Sequence, residues 1–545
     1  MSWSRRSFLG TAAAWPSLGG GVANAAEAAP AFQPTWASLA EGYETPEWFR
    51  DAKFGIWAHW GPQCVPEQGD WYGRLMYIQG TPQYEHHLKT YGHPTRAGFI
   101  EIQNRWKAEA WEPEALIDLY AKAGAKYFVA MANHHDNFDA YDSKYHAWNS
   151  VRLGPRRDII GTWAKAARGR GLRFGVSNHS AHAWHWFQPA YGYDAEGPLA
   201  GQRYDAFRLT QADGRGTWWE GLDPQELYTG RNIVMPDGIS TVRTLQEWHD
   251  ANTGVWDEKP PPHNPAFTRS WFLRCRDLID SYRPDLVYMD DTGLPLGQAG
   301  LDIAAHYYNA SRSWHGGKLE AVLNGKILPP ERRSALVEDV ERGQRDGIEP
   351  LPWQTCTCIG DWHYNRSVFE NHRYKSATAV IHSLADIVSK NGNLLLSIPI
   401  RGNGSIDADE RAFLEAMAQW MGRNGEAIHG TRPWRSFGEG PTRVASGRFT
   451  EGQSQPFTAE DIRFTAKGGA LYAIALGWPR SGVLAIRSLA QDSALAPGAI
   501  ERVEALGSNS PLSFTRSRKG LEVRLPEGLA GAPAFALKIS GPGLA

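Results

Sequence analysis

The first candidate for chemistry in this chain is a carboxylate that ends a short apolar run. Residues 286–289, Leu-Val-Tyr-Met, lie between Asp285 and Asp290, and the turn sequence Asp-Thr-Gly follows at 291–293. Four apolar, β-prone residues bounded in this way predict a short buried strand. A carboxylate at the C-terminal end of a barrel strand lies where barrel enzymes place catalytic groups. An aspartate here also commonly caps the following helix, so the run by itself leaves both interpretations open.

Strand-like and helix-like segments alternate around this run, from about residue 50 to residue 400. Strand-like runs lie at 54–58, 126–131, 172–177, 286–290, 320–324, 336–340 and 393–398. Helical patterns lie at 113–122, 159–168 and 267–282. This alternation predicts an α/β fold, a TIM-like (β/α) barrel. A doubly wound sheet is the alternative, although no glycine-rich nucleotide loop follows the first strand.

The composition changes at two places and so predicts the domain limits. The barrel is predicted over residues 35–431, and a segment rich in Gly, Pro, Asp and Trp at 188–265 is interpreted as an insertion on a barrel loop. From residue 432 to 545 the chain shows short alternating runs, such as those at 470–476 and 535–539. Such runs predict an all-β sandwich domain that follows the barrel.

The N-terminal residues have the features of an export signal. Arg5 and Arg6 form a twin-arginine pattern, a weakly apolar Ala/Gly stretch follows, and small residues end it at Ala25. The apolar run is too short and too rich in glycine for a membrane anchor. Residues 1–25 are therefore predicted to be a twin-arginine signal, which makes the protein periplasmic or secreted. No later stretch is long and apolar enough to span a bilayer.

The charge balance gives no reason to expect a nucleic-acid or membrane partner. The chain has 57 basic and 59 acidic side chains. Loss of Arg5 and Arg6 with the signal would leave 55 basic and 59 acidic side chains, a formal charge of −4. Binding to a polyanion would require a basic excess.

The cysteine spacing and the tryptophan content give weaker evidence about function. Cys356 and Cys358 are separated by one residue, whereas zinc-binding pairs have a gap of two, and we interpret the four cysteines as packed thiols. The 24 tryptophans fit stacking on the faces of sugars, and they equally fit the filling of a large core.

Seven motifs in order resemble the α-L-fucosidases of glycoside hydrolase family 29. They are Trp-Phe at 48–49 with Lys-Phe-Gly-Ile-Trp-Ala-His-Trp-Gly at 53–61, Asp-Trp-Tyr at 70–72, His-His-Asp-Asn-Phe at 134–138 with Tyr-Asp-Ser-Lys-Tyr at 141–145 and Trp-Asn at 148–149, Pro-Arg-Arg-Asp-Ile-Ile-Gly at 155–161, Tyr-Arg-Pro-Asp-Leu-Val-Tyr-Met-Asp at 282–290, Val-Ser-Lys-Asn-Gly-Asn-Leu-Leu-Leu at 388–396 and Asn-Gly-Glu-Ala-Ile-His-Gly-Thr at 424–431. The resemblance covers roughly residues 35–435. It implies a barrel with an appended β-sandwich, retaining hydrolysis of terminal α-L-fucose, and no cofactor.

The resemblance also implies the catalytic pair. Retaining glycosidases use two carboxyl groups about 5–5.5 Å apart, one as nucleophile and one as acid/base. Asp290 matches the family's nucleophile. For the acid/base we favour Glu341, which lies 51 residues further on (341 − 290), with Glu338 as the second choice. Glu331 and Glu349 are weaker candidates.

A sugar site follows from the same motifs. Its predicted members are His59, Asp70, Trp71, His134, His135, His179, Tyr288 and Trp362. A neutral imidazole both donates and accepts a hydrogen bond, which suits a sugar hydroxyl. L-fucose lacks a 6-hydroxyl group, so the pocket should offer apolar surface near C5, part of it from Tyr288.

Two groups of residues leave a metal site open as an alternative. His59, His134 and His135 with Asp136 could form a zinc site, although adjacent residues on a strand point to opposite faces. A metal site on the pair Asp290–Asp291 is a further alternative. We expect no metal.

Position 354 is one of the places where the chain departs from the family pattern. Gln354 stands where many family members have Glu in a Trp-Glu-Thr-Cys motif. Because Gln cannot donate a proton as a carboxylic acid does, we expect Gln354 to be structural.

The sequence therefore predicts an exported, retaining α-L-fucosidase that acts on fucosylated oligosaccharides or glycoconjugates. One alternative is action on α-L-galactosides, since an apolar pocket rejects an added hydroxyl only weakly. The others are a catalytically inactive fucose-binding protein and a metal-dependent barrel hydrolase. The oligomeric state is left open.

Overall fold

The computed structural model describes residues 31–256, 259–508 and 510–544. The predicted export signal at 1–25 lies outside them. Among the described residues, every helix is too short or too polar to cross a lipid bilayer.

Eight parallel strands close into a barrel in chain order, β1 to β8. Their bounds are β1 Phe54–Ala58, β2 Tyr127–Asn133, β3 Arg173–Asn178, β4 Leu286–Thr292, β5 Val322–Lys326, β6 Val337–Asp339, β7 Trp353–Cys358 and β8 Gly392–Ser397. Their side chains are almost all buried, as expected for a parallel sheet covered by helices. The predicted TIM-like barrel is confirmed, and the doubly wound alternative is wrong.

Seven of these strands match the predicted runs to within a few residues, and β7 was not predicted. Its sequence, Trp-Gln-Thr-Cys-Thr-Cys, has no continuous apolar run, yet all six residues are buried. Gln354 lies inside the barrel, where its Nε2 donates to Asp339 Oδ2 at 2.9 Å and its Oε1 accepts from the Tyr127 hydroxyl at 3.0 Å. These bonds satisfy the polar side chain, so a buried strand tolerates it.

The described residues also form helices, and at least one helix connects most pairs of successive barrel strands. Their bounds are α1 Trp36–Gly42, α2 Glu47–Ala52, α3 Tyr72–Leu75, α4 Pro82–Thr90, α5 Phe99–Arg105, α6 Pro113–Lys122, α7 Ile159–Gly169, α8 Ala183–Trp186, α9 Asp205–Arg208, α10 Pro224–Leu227, α11 Val242–Thr253, α12 Pro265–Tyr282, α13 Gln298–Trp314, α14 Arg366–Glu370, α15 Ala377–Ser389 and α16 Ala408–Asn424. Local sequence explains several starts, since Asp158 and Ser376 cap backbone N–H groups of α7 and α15. Helices α9 to α11 lie within residues 188–265, the segment predicted to be an insertion.

The C-terminal part is built from two antiparallel sheets, one of five strands and one of three. The strands are β9 Arg432–Glu439, β10 Ile462–Lys467, β11 Ala470–Ala475, β12 Val483–Ile486, β13 Arg502–Ala505, β14 Phe514–Ser517, β15 Gly520–Arg524 and β16 Phe535–Ser540. Apolar residues of both sheets, such as Phe464 and Leu537 from one and Leu484 and Val523 from the other, share one core. The predicted all-β domain is therefore present.

A buried ionic cluster joins the barrel to the C-terminal sheet. Asp386 on α15 accepts from Arg463 Nε on β10 at 2.6 Å and from Lys390 Nζ at 2.7 Å. The three side chains are 0–2% exposed. Each charge is thus paired where water does not reach it, and removal of the shared carboxylate would leave two buried cations.

Asp386→Ala should therefore lower the free energy of unfolding by about 3–5 kcal/mol, measured by urea denaturation. Glu247→Ala is the matched control, because Glu247 pairs with Arg243 on an exposed helix face and should cost no more than about 0.5 kcal/mol. Equal small losses in the two variants would contradict the assigned role of Asp386.

Candidate active site

A cavity of about 490 Å³ opens at the C-terminal ends of the barrel strands. All ten predicted site residues line it: His59, Asp70, Trp71, His134, His135, His179, Tyr288, Asp290, Glu341 and Trp362. They are brought together from segments up to about 300 residues apart because parallel strands end at one face of the barrel. Their individual roles remain predictions.

A lysine bridges the two predicted catalytic carboxylates. Lys326, the last residue of β5, donates from Nζ to Asp290 Oδ1 and, at 2.6 Å, to Glu341 Oε2. All three side chains are 11–15% exposed. Two oxygens that share one ammonium lie no more than about 6 Å apart, given ordinary hydrogen-bond lengths.

The local backbone explains why Asp290 and Glu341 face this cavity. Along β4 the pairing with β5 shifts register between Tyr288 and Thr292, an irregularity of the kind that re-aims side chains beside active sites. Beyond β6, the N–H groups of Val340 and Arg342 donate to carbonyls of β7, so the strand pairing continues around Glu341.

Side-chain alternation separates the acid/base candidates. Val337 and Asp339 alternate with Glu338 along β6 and are buried in the barrel interior, and Glu341 follows two residues later in the turn after β6. Glu338 has the opposite parity and pairs outside the cavity with Arg333 at 2.9 Å and Arg345 at 2.5 Å.

The two weaker acid/base candidates, Glu331 and Glu349, also lie outside the cavity. Glu331 is exposed in a 3₁₀ turn, and Glu349 lies beside Arg333 and Arg345. Of the four glutamates considered, only Glu341 lines the cavity.

The surroundings of Asp290 favour its ionised form. Burial alone would raise its pKa, but the charge of Lys326 and the hydrogen bond from His179 lower the pKa well below the usual value of 3.8. His179 Nδ1 lies 2.8 Å from Asp290 Oδ2, and His135 Nε2 lies 3.5 Å from the same oxygen. Burial lowers the pKa of Lys326, but Asp290 and Glu341 outweigh that effect and raise it.

His59, His134 and His135 are neutral and oriented by the protein. Burial lowers the pKa of His59 and His134 well below 6.5 and that of His135 to about 3. Nδ1 of His59 lies 3.1 Å from the Ser397 hydroxyl, and Nδ1 of His134 lies 2.8 Å from Gln63 Nε2. His135 donates from Nδ1 to the His179 carbonyl at 2.7 Å, which leaves its Nε2 as an acceptor for a hydroxyl.

The zinc set considered from the sequence does not assemble in the described part of the chain. Asp136 is buried outside the cavity, and burial raises its pKa to about 7. Ring nitrogens of His134, His135 and His179 do lie within 4.8 Å of one another. However, both nitrogens of His179 are already hydrogen-bonded, to Asp290 and to Ser177, so this donor set fits a metal poorly.

Aromatic rings form the walls of the cavity. Trp57 lies 4.5 Å from Tyr288 and 5.7 Å from Trp362, measured between ring centroids. The Tyr288 hydroxyl donates to Asp339 at 3.1 Å, which anchors the ring at the cavity floor. Asp70 accepts from the backbone N–H groups of Trp362 and His363, so it supports this wall in addition to lining the cavity.

Comparison with known proteins agrees with this arrangement. The family model for alpha-L-fucosidase matches residues 22–426, and the model for the alpha-L-fucosidase C-terminal domain matches residues 454–540. The chain belongs to the α-L-fucosidase family. The resemblance seen in the seven motifs is confirmed, and the chain is a glycoside hydrolase.

Relatives extend over nearly the whole of this α-L-fucosidase. Human tissue alpha-L-fucosidase is 28% identical over 503 residues, which cover 91% of this chain and 88% of the relative. The bovine tissue enzyme is 28% identical over 522 residues, covering 94% and 92%. The Thermotoga maritima alpha-fucosidase in complex with fucose has a TM-score of 0.64 at 26% identity, covering 93% of this chain and 99% of that structure.

Several residues of this fucosidase site were not predicted. They are Lys326, Arg342, Trp256, Arg448 and Phe449, all of which line the cavity. Lys326 could have been found, because it follows the predicted strand at 320–324 by two residues, at the barrel end where Asp290 also lies. The aromatic residues and Arg448 come from the insertion and from the C-terminal domain, where no local pattern points to the barrel.

Lys326→Met tests the electrostatic role of the ammonium. Loss of the positive charge removes an interaction that favours ionised Asp290, so the pKa of Asp290 rises and the acidic limb of the pH profile of kcat/KM moves to higher pH. We also expect kcat/KM at its optimum to fall by about 10²-fold. Lys326→Arg keeps the charge and should keep the limb near its wild-type position. A limb that does not move in Lys326→Met would contradict this role.

Proposed function

We propose that the enzyme hydrolyses terminal α-linked L-fucose with retention of configuration, with Asp290 as nucleophile and Glu341 as acid/base. The observation that carries the proposal is the hydrogen bonding of both carboxylates to Lys326 Nζ. It limits their separation to about 6 Å, which accords with the spacing of about 5–5.5 Å in retaining enzymes rather than the wider spacing of inverting ones.

The same lysine suits both steps of a double displacement. In the first step Glu341 gives its proton to the leaving oxygen while Asp290 attacks the anomeric carbon. Asp290 then forms an ester and loses its negative charge, so Lys326 faces Glu341 alone. The ammonium then donates to Glu341, which must take a proton from water in the second step.

The rest of the cavity suits a 6-deoxy sugar. His59, His134 and His135 are neutral and offer hydrogen-bonding nitrogens to ring hydroxyls. Trp57 and Tyr288 contribute apolar ring surface beside Asp290, against which a methyl group at C5 would lie. We accordingly propose fucosylated oligosaccharides or glycoconjugates as substrates, since the human tissue and Thermotoga maritima relatives are fucosidases.

The catalytic roles can be tested with an aryl α-L-fucoside in the presence of azide. Asp290→Ala should lose roughly 10⁴-fold or more in kcat/KM, and azide should then yield β-L-fucosyl azide, the inverted product. Glu341→Ala should cleave an activated aryl fucoside and give α-L-fucosyl azide, the retained product, because azide needs no general base. Product anomers are assigned by NMR.

Glu338→Ala is the matched control, because it removes a carboxylate three residues away that points outside the cavity. It should behave like the wild-type enzyme. If Glu338→Ala gives the retained azide and Glu341→Ala does not, the acid/base assignment is wrong. If the wild-type protein binds fucose but releases none from any fucoside, it is a binding protein and the proposed mechanism fails.

We further propose export through the twin-arginine route, on the strength of Arg5 and Arg6 and the small residues that end at Ala25. Replacement of both arginines by lysine should leave the uncleaved precursor in the cytoplasm, measured by cell fractionation and mass spectrometry of the N-terminus. Equal export of the doubly substituted protein would contradict the proposal.

A further inference from the structure

A loop of the C-terminal domain reaches the mouth of the barrel. The segment 440–461 connects β9 to β10, and its part 447–451, here called the clamp loop, runs beside the segment that carries Glu341. Phe449 N–H donates to the Glu341 carbonyl at 2.9 Å. On either side, Gly447 N–H donates to the Gln344 carbonyl at 2.8 Å and Glu451 N–H to the Arg342 carbonyl at 2.9 Å.

The approach of the two segments is close. A Cβ added to Gly343 would lie 1.8 Å from the Gly447 carbonyl oxygen, so only glycine at position 343 permits this contact. The clamp loop is thus fitted to the acid/base segment by backbone contacts. It belongs to the active site although it comes from a different domain.

The clamp loop places an exposed ring at the cavity. Phe449 is 54% exposed and has a φ of +54°, a left-handed conformation that is costly for a bulky residue. Both Phe449 and Arg448 line the same cavity as Asp290 and Glu341. Phe449 therefore presents a large, exposed apolar ring at the edge of the cavity, on a strained backbone. Such a ring can stack against the apolar face of a sugar.

Two guanidinium groups, those of Arg342 and Arg448, line the same cavity. Arg448 lies 5.7 Å from the centre of the Phe449 ring, and the described residues offer it no carboxylate within salt-bridge distance. Arg342 lies 5.2 Å from the Trp362 ring and donates to Cys358 Sγ. Phe449 and Arg448 line the cavity together with Glu341, which in the proposed mechanism protonates the oxygen of the leaving group.

We propose that Phe449 and Arg448 form the subsite for the leaving group and that this subsite takes a pyranose sugar. Phe449 stacks on the apolar C–H face of that sugar, and Arg448 donates to its oxygen substituents. The inference rests on the proposed hydrolysis of α-L-fucosides and extends it to the other side of the scissile bond. The C-terminal domain thereby determines which fucosylated chains are cleaved.

The test compares two substrates that share fucose and differ in the leaving group. α-L-Fucosyl fluoride releases a single atom, whereas L-fucosyl-α-(1→2)-D-galactose releases a pyranose. In Phe449→Ala, the ratio of kcat/KM for the disaccharide to kcat/KM for the fluoride should fall about tenfold. Phe449→Tyr should keep most of the wild-type value of this ratio of kcat/KM, because it keeps the aromatic ring. Arg448→Gln should lower the ratio severalfold.

A second readout follows the deglycosylation step. With fucosyl fluoride as donor and galactose as acceptor, Phe449→Ala should transfer less fucose to galactose relative to water. Tyr145→Ala is the matched control, since Tyr145 is an exposed aromatic residue (51%) that does not line the cavity, and it should leave both readouts as in the wild type.

The outcomes separate this inference from the proposed function. If the wild type cleaves neither substrate, the proposed hydrolysis fails, and the subsite fails with it. If the wild type cleaves both and Phe449→Ala lowers both equally, the clamp loop only supports Glu341 and the subsite is refuted. Cleavage of the fluoride alone by the wild type would also refute it.

Discussion

The candidate active site depends on one buried ammonium held between the carboxyl groups of Asp290 and Glu341. At an effective dielectric constant near 20, unit charges 4 Å apart interact by about 4 kcal/mol, so Lys326 strongly favours an ionised Asp290 beside it. The barrel order makes the arrangement feasible, because β4, β5 and β6 are neighbours and each presents one of the three groups at its C-terminal end. Burial makes the charges costly and their pairing obligatory.

His59, His134 and His135, which line the cavity around this charged centre, are held neutral by burial. Below them lies a polar layer in the barrel interior. There Asp339 accepts from the Tyr288 hydroxyl and from Gln354, while burial raises its pKa to about 6. Gln354 therefore has a structural part in this chain. It donates to a buried carboxylate, whereas a glutamate would bring a second acid to the same place.

The sequence was sufficient for the barrel and for part of the site, and the limits have physical causes. Strands with continuous apolar runs were predicted, but β7 was missed because Gln354 and two threonines interrupt its apolar character. Glu341 was preferred to Glu338 through a resemblance, although the alternation of Val337 and Asp339 already favours the same choice. The ion pairs of Glu338 are tertiary contacts and could not be seen. Lys326 carries no motif, and its importance arises only when neighbouring strands bring both carboxylates to it.

The C-terminal domain contributes Arg448 and Phe449 to the cavity that the barrel forms. Phe449 lies on the connection that enters β10, and the second residue of β10 is Arg463, which is bound to Asp386 of the barrel helix α15. The buried ionic cluster therefore fixes the strand from which the clamp loop departs. An exposed ring needs such an anchor, because the ring itself gains little from burial and its backbone is strained. Rigid attachment of the domain lets a loop of the β-sandwich reach the leaving-group side of a barrel active site and hold its position there.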